Sequence, residues 1–144
     1  MTTVSAIVDL WISSRRAIAL VERELDMRLT DSLGIPFTTY AVLCTIAELG
    51  EAGAELSKQH IADALAIDKS NDSRHIETAV ASGHVSSAPS ATSRRSKSVS
   101  LTPSGQTALE AAEALVAEFA STLDLRGAAD ATRFLTAIGA AVQR

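Results

Sequence analysis

The chain has 144 residues, of which 47% are hydrophobic but only 3% aromatic, and it carries a formal net charge of −4. That length suits one compact domain or two small lobes sharing a core, and an Ala-rich composition with three prolines and seven glycines favours helix. A single cysteine excludes an internal disulfide, no apolar run is long enough for a membrane span, and no basic-then-apolar start reads as a secretory signal, so a cytoplasmic protein away from membranes is expected.

Residues 3–33 are predicted to form one long helix. Ile7, Trp11, Ile18, Val21 and Leu25 recur at helical spacing, and Val4, Val8, Leu10 and Leu29 widen the stripe. Arg15, Arg16, Glu22, Glu24 and Arg28 take the other face, and the nearby Asp26 reads as solvated too. Such a helix cannot bury its stripe against one small lobe; it needs another helix or a second subunit. Gly34 stops it, and Gly34-Ile35-Pro36 is a turn. A second helix spans 37–49, with Tyr40, Val42, Leu43, Ile46, Ala47 and Leu49 as core candidates. A polar connection over 50–55 leads to Ser57, the N-cap of a third helix that ends near Leu65 and buries Ile61, Ala62 and Leu65. Asp68 is expected to cap a fourth helix that runs to about Ser82, before Gly83. Two short capped helices separated by Ala66-Ile67 form a helix-turn-helix signature, which presents one helix to the DNA major groove.

Residues 84–101 admit two readings: a flexible Ser-rich linker or a β-hairpin. Val99 and Leu101 alternate with Ser98 and Ser100, and Val85 can pair across, so the hairpin is favoured, with a tip at 89–95. Thr102 and Pro103 then start a fifth helix as N-cap and first position, with Leu101 as a staple. Its stripe is Leu109, Ala112, Leu115, Val116, Phe119 and Leu123. A sixth helix over 128–142 turns Ala131, Phe134, Leu135, Ile138 and Val142 inward. The fold class is therefore mainly α with a small β-wing, a winged helix-turn-helix.

Charge is unevenly distributed. Residues 57–101 hold six basic side chains against four acidic ones, a net +2, which leaves −6 for the rest. One face can then attract phosphate while the remainder is repelled from it. On the fourth helix, Lys69, Ser70, Asn71, Ser73, Arg74 and Thr78 lie on the N-terminal or outward side. Arginine pairs bidentately with guanine and asparagine with adenine, so Arg74 and Asn71 are candidate base readers. Ser70 and Ser73 suit phosphate or single base contacts, and Lys69 suits phosphate. In the hairpin, Arg94, Arg95 and Lys97 form a basic loop whose arginines suit a narrow minor groove. A solvated polar helix face and a solvated basic loop would carry the same residues.

Other chemistry has little support. His60, His75 and His84 have spacings that match no compact ligand motif, so no metal or cofactor is expected. Cys44 reads as a small buried hydrophobe without a basic neighbour to activate it. Trp11, Tyr40 and Phe37 can line a ligand pocket or serve as core. There is no Gly-rich phosphate loop and no nucleophile–base cluster, so no enzyme is expected.

Four segments together resemble the MarR (multiple antibiotic resistance regulator) family of bacterial winged-helix transcription factors. These are Gly34-Ile35-Pro36-Phe37-Thr38-Thr39-Tyr40-Ala41-Val42-Leu43, Ile61-Ala62-Asp63-Ala64-Leu65-Ala66-Ile67-Asp68, Arg74-His75-Ile76-Glu77 leading to Gly83-His84-Val85, and Arg94-Arg95 followed by Val99-Ser100-Leu101-Thr102-Pro103-Ser104-Gly105. Their order and spacing, more than any one of them, carry the resemblance. It implies a homodimer whose dimerisation region is residues 1–35 and 102–144, with 36–101 as the DNA-binding lobe. It also implies binding to a pseudo-palindromic double-stranded operator, repression, and release by a small aromatic or phenolic effector. Asp72, Lys58 and Ser93 depart from the family pattern. Asp72, Ser93 and the net negative charge motivate the alternative: a winged-helix protein-interaction module that has lost sequence-specific DNA binding.

Overall fold

In a computed structural model, the residues described are 2–51, 53, 55–66, 69–91 and 97–143, without the side chains of 69, 70 and 72. The elements are α1 (Thr3–Leu33), α2 (Phe37–Gly50), α3 (Lys58–Leu65), α4 (Lys69–Ala81), β1 (Val85–Pro89), β2 (Lys97–Leu101), α5 (Pro103–Ala120) and α6 (Ala128–Val142). Mainly helical with one two-stranded sheet, this is the winged helix-turn-helix expected. No single helix among the described residues is long and apolar enough to cross a membrane.

The long first helix ends where glycine permits a left-handed turn. Gly34 has φ 65°, and its N–H reaches the Thr30 carbonyl at 2.9 Å. α1 and α2 then meet at 94°. Pro36, at the N-cap of α2, offers no side-chain acceptor, yet Asp26 Oδ1 accepts the Phe37 N–H at 2.8 Å. Asp26, exposed on α1 as its sequence indicates, thus also supplies the cap of α2. It satisfies a donor that the start of α2 would otherwise leave free.

The helix-turn-helix is closed by local bonds. Ser57 Oγ accepts the His60 N–H at 3.2 Å, and His60 Nδ1 accepts the Ser57 N–H at 3.0 Å, a reciprocal cap at the start of α3. Ala66 ends α3 in the left-handed region at φ 51°, which opens the turn toward α4. The expected cap at Asp68 lies outside the described residues. α4 stops at Ala81, one residue before the predicted end, because Gly83 takes φ 80° and the His84 N–H bonds back to the Ala79 carbonyl at 3.1 Å.

The ambiguous stretch is a hairpin. Val85 pairs with Leu101, Ser87 with Val99, and Pro89 with Lys97, so strand β1 reaches further into the expected tip than its sequence indicates. Val85 and Val99 are buried, as the alternation requires. The Leu56–Ser57 segment adds to its inner edge: the Val99 N–H donates to the Leu56 carbonyl at 2.8 Å, and Ser57 bridges to Ser98.

Thr102 ties the hairpin to α5. Its Oγ1 accepts the Gly105 N–H at 3.0 Å and donates to the Gly83 carbonyl at 2.6 Å, while its N–H reaches the His84 carbonyl at 3.1 Å. Gly105 packs on that same His84 carbonyl with no room for a Cβ. One core gathers Val42, Leu43, Ile46, Ile61, Ile76 and Leu109 among others; a second gathers Leu25, Leu29 and Ala112, with Phe37, Tyr40 and Phe119 against it. α5 contributes to both.

Much of the apolar surface expected inside is not covered by this chain. Of the α1 stripe only Leu25 and Leu29 are buried; Ile7, Ile18 and Val21 are exposed, and Trp11 is 60% exposed. On α6, Ala131, Phe134, Leu135 and Val142 are exposed and Ile138 is half-buried, so its inward stripe does not join either core. Leu123 is exposed beyond the end of α5. The reason is geometric: the first two-thirds of α1 extend past both cores, and a helix buries a stripe only where another surface meets it.

Candidate nucleic-acid interface

α4 is divided by its own periodicity. Ile76 and Ala79 are fully buried, and Val80 is half-buried. Asn71, Arg74 and Thr78, at spacings of three and four, share an exposed face on the other side. Ser73 and Glu77 share a neighbouring exposed strip, where the Ser73 hydroxyl donates to Glu77 Oε1 at 3.3 Å. Ser73 is exposed, with its hydroxyl proton engaged by Glu77. The Thr78 hydroxyl donates to the Arg74 carbonyl at 2.9 Å and keeps only its oxygen lone pairs for another partner.

Lys69 and Ser70 open α4, but their side chains lie outside the described residues, as do Arg94 and Arg95 entirely. Lys97 is exposed at the start of β2, paired with Pro89. β1 packs beside α4 and β2 beside α3, so the hairpin flanks the helix-turn-helix. The arrangement offers an exposed arginine and amide on one helix face, with a lysine-bearing hairpin alongside.

Glu55 was not singled out by its sequence. Its carboxylate accepts the Ser90 hydroxyl at 2.8 Å and the Ala91 N–H at 3.1 Å. A glutamate in a glycine-containing connection carries no local signal for partners 35 and 36 residues away.

A cleft of about 500 Å³ lies where the α1–α2 turn meets the start of α5, lined by Leu33, Ile35, His84, Ser104, Thr107 and Ala111 among others. His84 Nδ1 and Ser104 Oγ are 3.4 Å apart at its wall. None of the three aromatics considered for a ligand pocket lines this cleft. Trp11 sits under the Arg15 guanidinium, and Phe37 and Tyr40 pack together with ring centroids 6.2 Å apart.

Cys44 is half-buried rather than fully enclosed. Burial pushes its thiol up, and Glu113 and Glu48 add to this, against a hydrogen bond from Tyr40 that lowers it. The Tyr40 hydroxyl is likewise raised, chiefly by burial and by its bond to Cys44. The thiol is thereby held protonated, the opposite of an activated thiolate. Among the described residues, no three His, Cys, Asp or Glu side chains come together as a metal site.

No protein-family model matches the chain, and no curated protein matches it in sequence. Solved structures do match it in fold. The transcriptional regulator BldR from Sulfolobus solfataricus is 17% identical, covers 97% of this chain and 99% of its own, and superposes with a TM-score of 0.85. A cysteine mutant of MarR from E. coli, complexed with operator DNA, is 21% identical over 96% of this chain and 99% of its own, with a TM-score of 0.71. BpsR from Bordetella bronchiseptica, whose DNA binding is regulated by 6-hydroxynicotinic acid, is 21% identical over 87% of this chain and 89% of its own, with a TM-score of 0.70. The chain thus has the fold of these regulators, in agreement with the MarR resemblance read from its sequence.

Proposed function

We propose that the chain is a homodimeric, sequence-specific DNA-binding transcriptional regulator that acts as a repressor, not an enzyme. The observation that carries this reading is the exposed Asn71–Arg74–Thr78 face of α4, backed by the fully buried Ile76 and Ala79 and flanked by the hairpin. A helix held rigidly by its apolar side can enter a major groove with its polar side, where Arg74 pairs with guanine and Asn71 with adenine. Lys97, Arg94 and Arg95 contact phosphate or the adjacent minor groove; Lys69 contacts phosphate, and Ser70 and Ser73 contact phosphate or single bases. Residues 36–101 then form the DNA-binding lobe, and 1–35 with 102–144 the dimerisation region. The exposed apolar faces of α1 and α6 supply what a second copy covers. Two copies read a pseudo-palindromic double-stranded operator in the cytoplasm. A small aromatic or phenolic effector releases it, and the cleft beside His84 and Ser104 has room for such a molecule. The MarR mutant bound to operator DNA and the 6-hydroxynicotinic acid regulation of BpsR support the two halves of this reading.

One observation favours a second reading, an interaction module without DNA specificity. Glu77 stands on the exposed surface of α4 and engages Ser73. Fluorescence anisotropy separates the two, using duplex DNA from upstream of the gene, a shuffled duplex and a salt titration. Selective binding that falls steeply with salt supports the regulator. Equal, weak binding to both duplexes favours the module.

A further inference from the structure

Glu55 belongs to neither the helix-turn-helix nor the hairpin, yet it joins them. Its two carboxylate oxygens accept from the two residues that follow β1, Oε2 from the Ser90 hydroxyl at 2.8 Å and Oε1 from the Ala91 N–H at 3.1 Å. The next residues clasp the returning strand, through the Val99 N–H on the Leu56 carbonyl and the bridge between Ser57 and Ser98. Ser57 is also the N-cap of α3. One short segment therefore fixes both hairpin strands to the first residue of the helix-turn-helix. In sequence, Ala91 is followed within four residues by Arg94 and Arg95.

We propose that Glu55 is a positioning residue for the hairpin: its carboxylate straps Ser90 and Ala91, the two residues that follow β1, so that the hairpin and its exposed Lys97 are presented to DNA at a fixed place beside α4. The role rests on the DNA-binding reading above. It also accounts for an acid on this side of the molecule. A carboxylate near phosphate repels it, so its removal should by charge alone tighten binding. As a strap, its removal frees Ser90 and Ala91 and weakens binding. The two effects have opposite signs.

The test uses the full-length protein and a mixed-sequence DNA duplex of about three helical turns. Glu55→Gln, which removes the charge but keeps one acceptor, is expected to bind at least about threefold more weakly than the wild type, the scale of one lost hydrogen bond. Ser90→Ala, which changes no charge, is expected to weaken binding similarly, and to add little in the Glu55→Gln background. Unchanged or tighter binding by Glu55→Gln, or fully additive losses in the double variant, overturns the role. Amide exchange reads the strap without DNA: the Ala91 N–H should exchange several-fold faster in Glu55→Ala, with the melting temperature as a check on folding. Unaltered exchange at Ala91 overturns the strap itself; should Glu55→Ala fail to fold, Glu55→Gln and Ser90→Ala are read the same way. If the wild type fails to bind the duplex, the DNA reading and this role fall together. If the wild type binds and Glu55→Gln matches it, this role falls alone.

Discussion

Arg74 projects from a helix whose opposite side is anchored by Ile76 and Ala79, so its position is set by packing rather than by its own contacts. Arg74→Ala should therefore leave the melting temperature nearly unchanged and cost about 1–3 kcal/mol of binding at a cognate site. Unchanged affinity by anisotropy would reject base reading by this side chain. Asp26 is the reverse case, a residue whose worth is structural. Asp26→Ala leaves the Phe37 N–H without its acceptor and should lower stability by about 0.5–2 kcal/mol in urea unfolding. A stability equal to that of the wild type would mean that water replaces the carboxylate at no cost. Cys44 and Tyr40 give a pH dependence of definite sign. Burial raises both groups, so the folded state disfavours their deprotonated forms. Stability is whole below the ordinary thiol value of about 8.5 and falls as pH rises toward the raised values. The urea midpoint should therefore drop above about pH 9, and less so in Cys44→Ser. A midpoint flat to about pH 10 would contradict this.

At the scale of elements, what was legible in the sequence had a local cause. Ser57, Thr102 with Pro103, Gly34 and Gly83 act within a few residues of themselves, and each bounds a helix within a residue or so of where its sequence indicates. The hairpin was legible through the alternation around Val99, because a half-buried strand must alternate. What escaped was non-local. The cap at Asp26 and the bond at Glu55 join residues 11 and 35 positions apart, and a carboxylate in a polar stretch looks the same whether it faces water or another element. The candidate face on α4 was legible by periodicity at Asn71, Arg74 and Thr78. The diversion of Ser73 to Glu77 was not, because a serine four residues before a glutamate is compatible with many rotamers. The elements also couple the candidate interface to the rest of the chain: Thr102 and Gly105 lock the exit of α4 to the start of α5.

At the scale of the whole molecule, the chain is a well-packed lobe carrying two long apolar helix faces that it does not cover. Trp11 at 60% and Val142 at 80% exposure are costly in water, and the proposed interface between two copies would remove that cost. Sedimentation should give twice the 15.1 kDa of one chain. Phe134→Glu, a change at an exposed site that leaves both cores intact, should shift the protein toward the monomer; an unaltered mass would place the interface elsewhere. A dimer of this kind sets two α4 faces at a fixed separation. The most direct measurement of the central claim is selection of duplexes from a random pool by the purified protein. Convergence on inverted half-sites about one helical turn apart, roughly 34–36 Å, with binding that falls steeply with salt, is the predicted result. A pool that stays unenriched, with all duplexes bound equally and weakly, would contradict it.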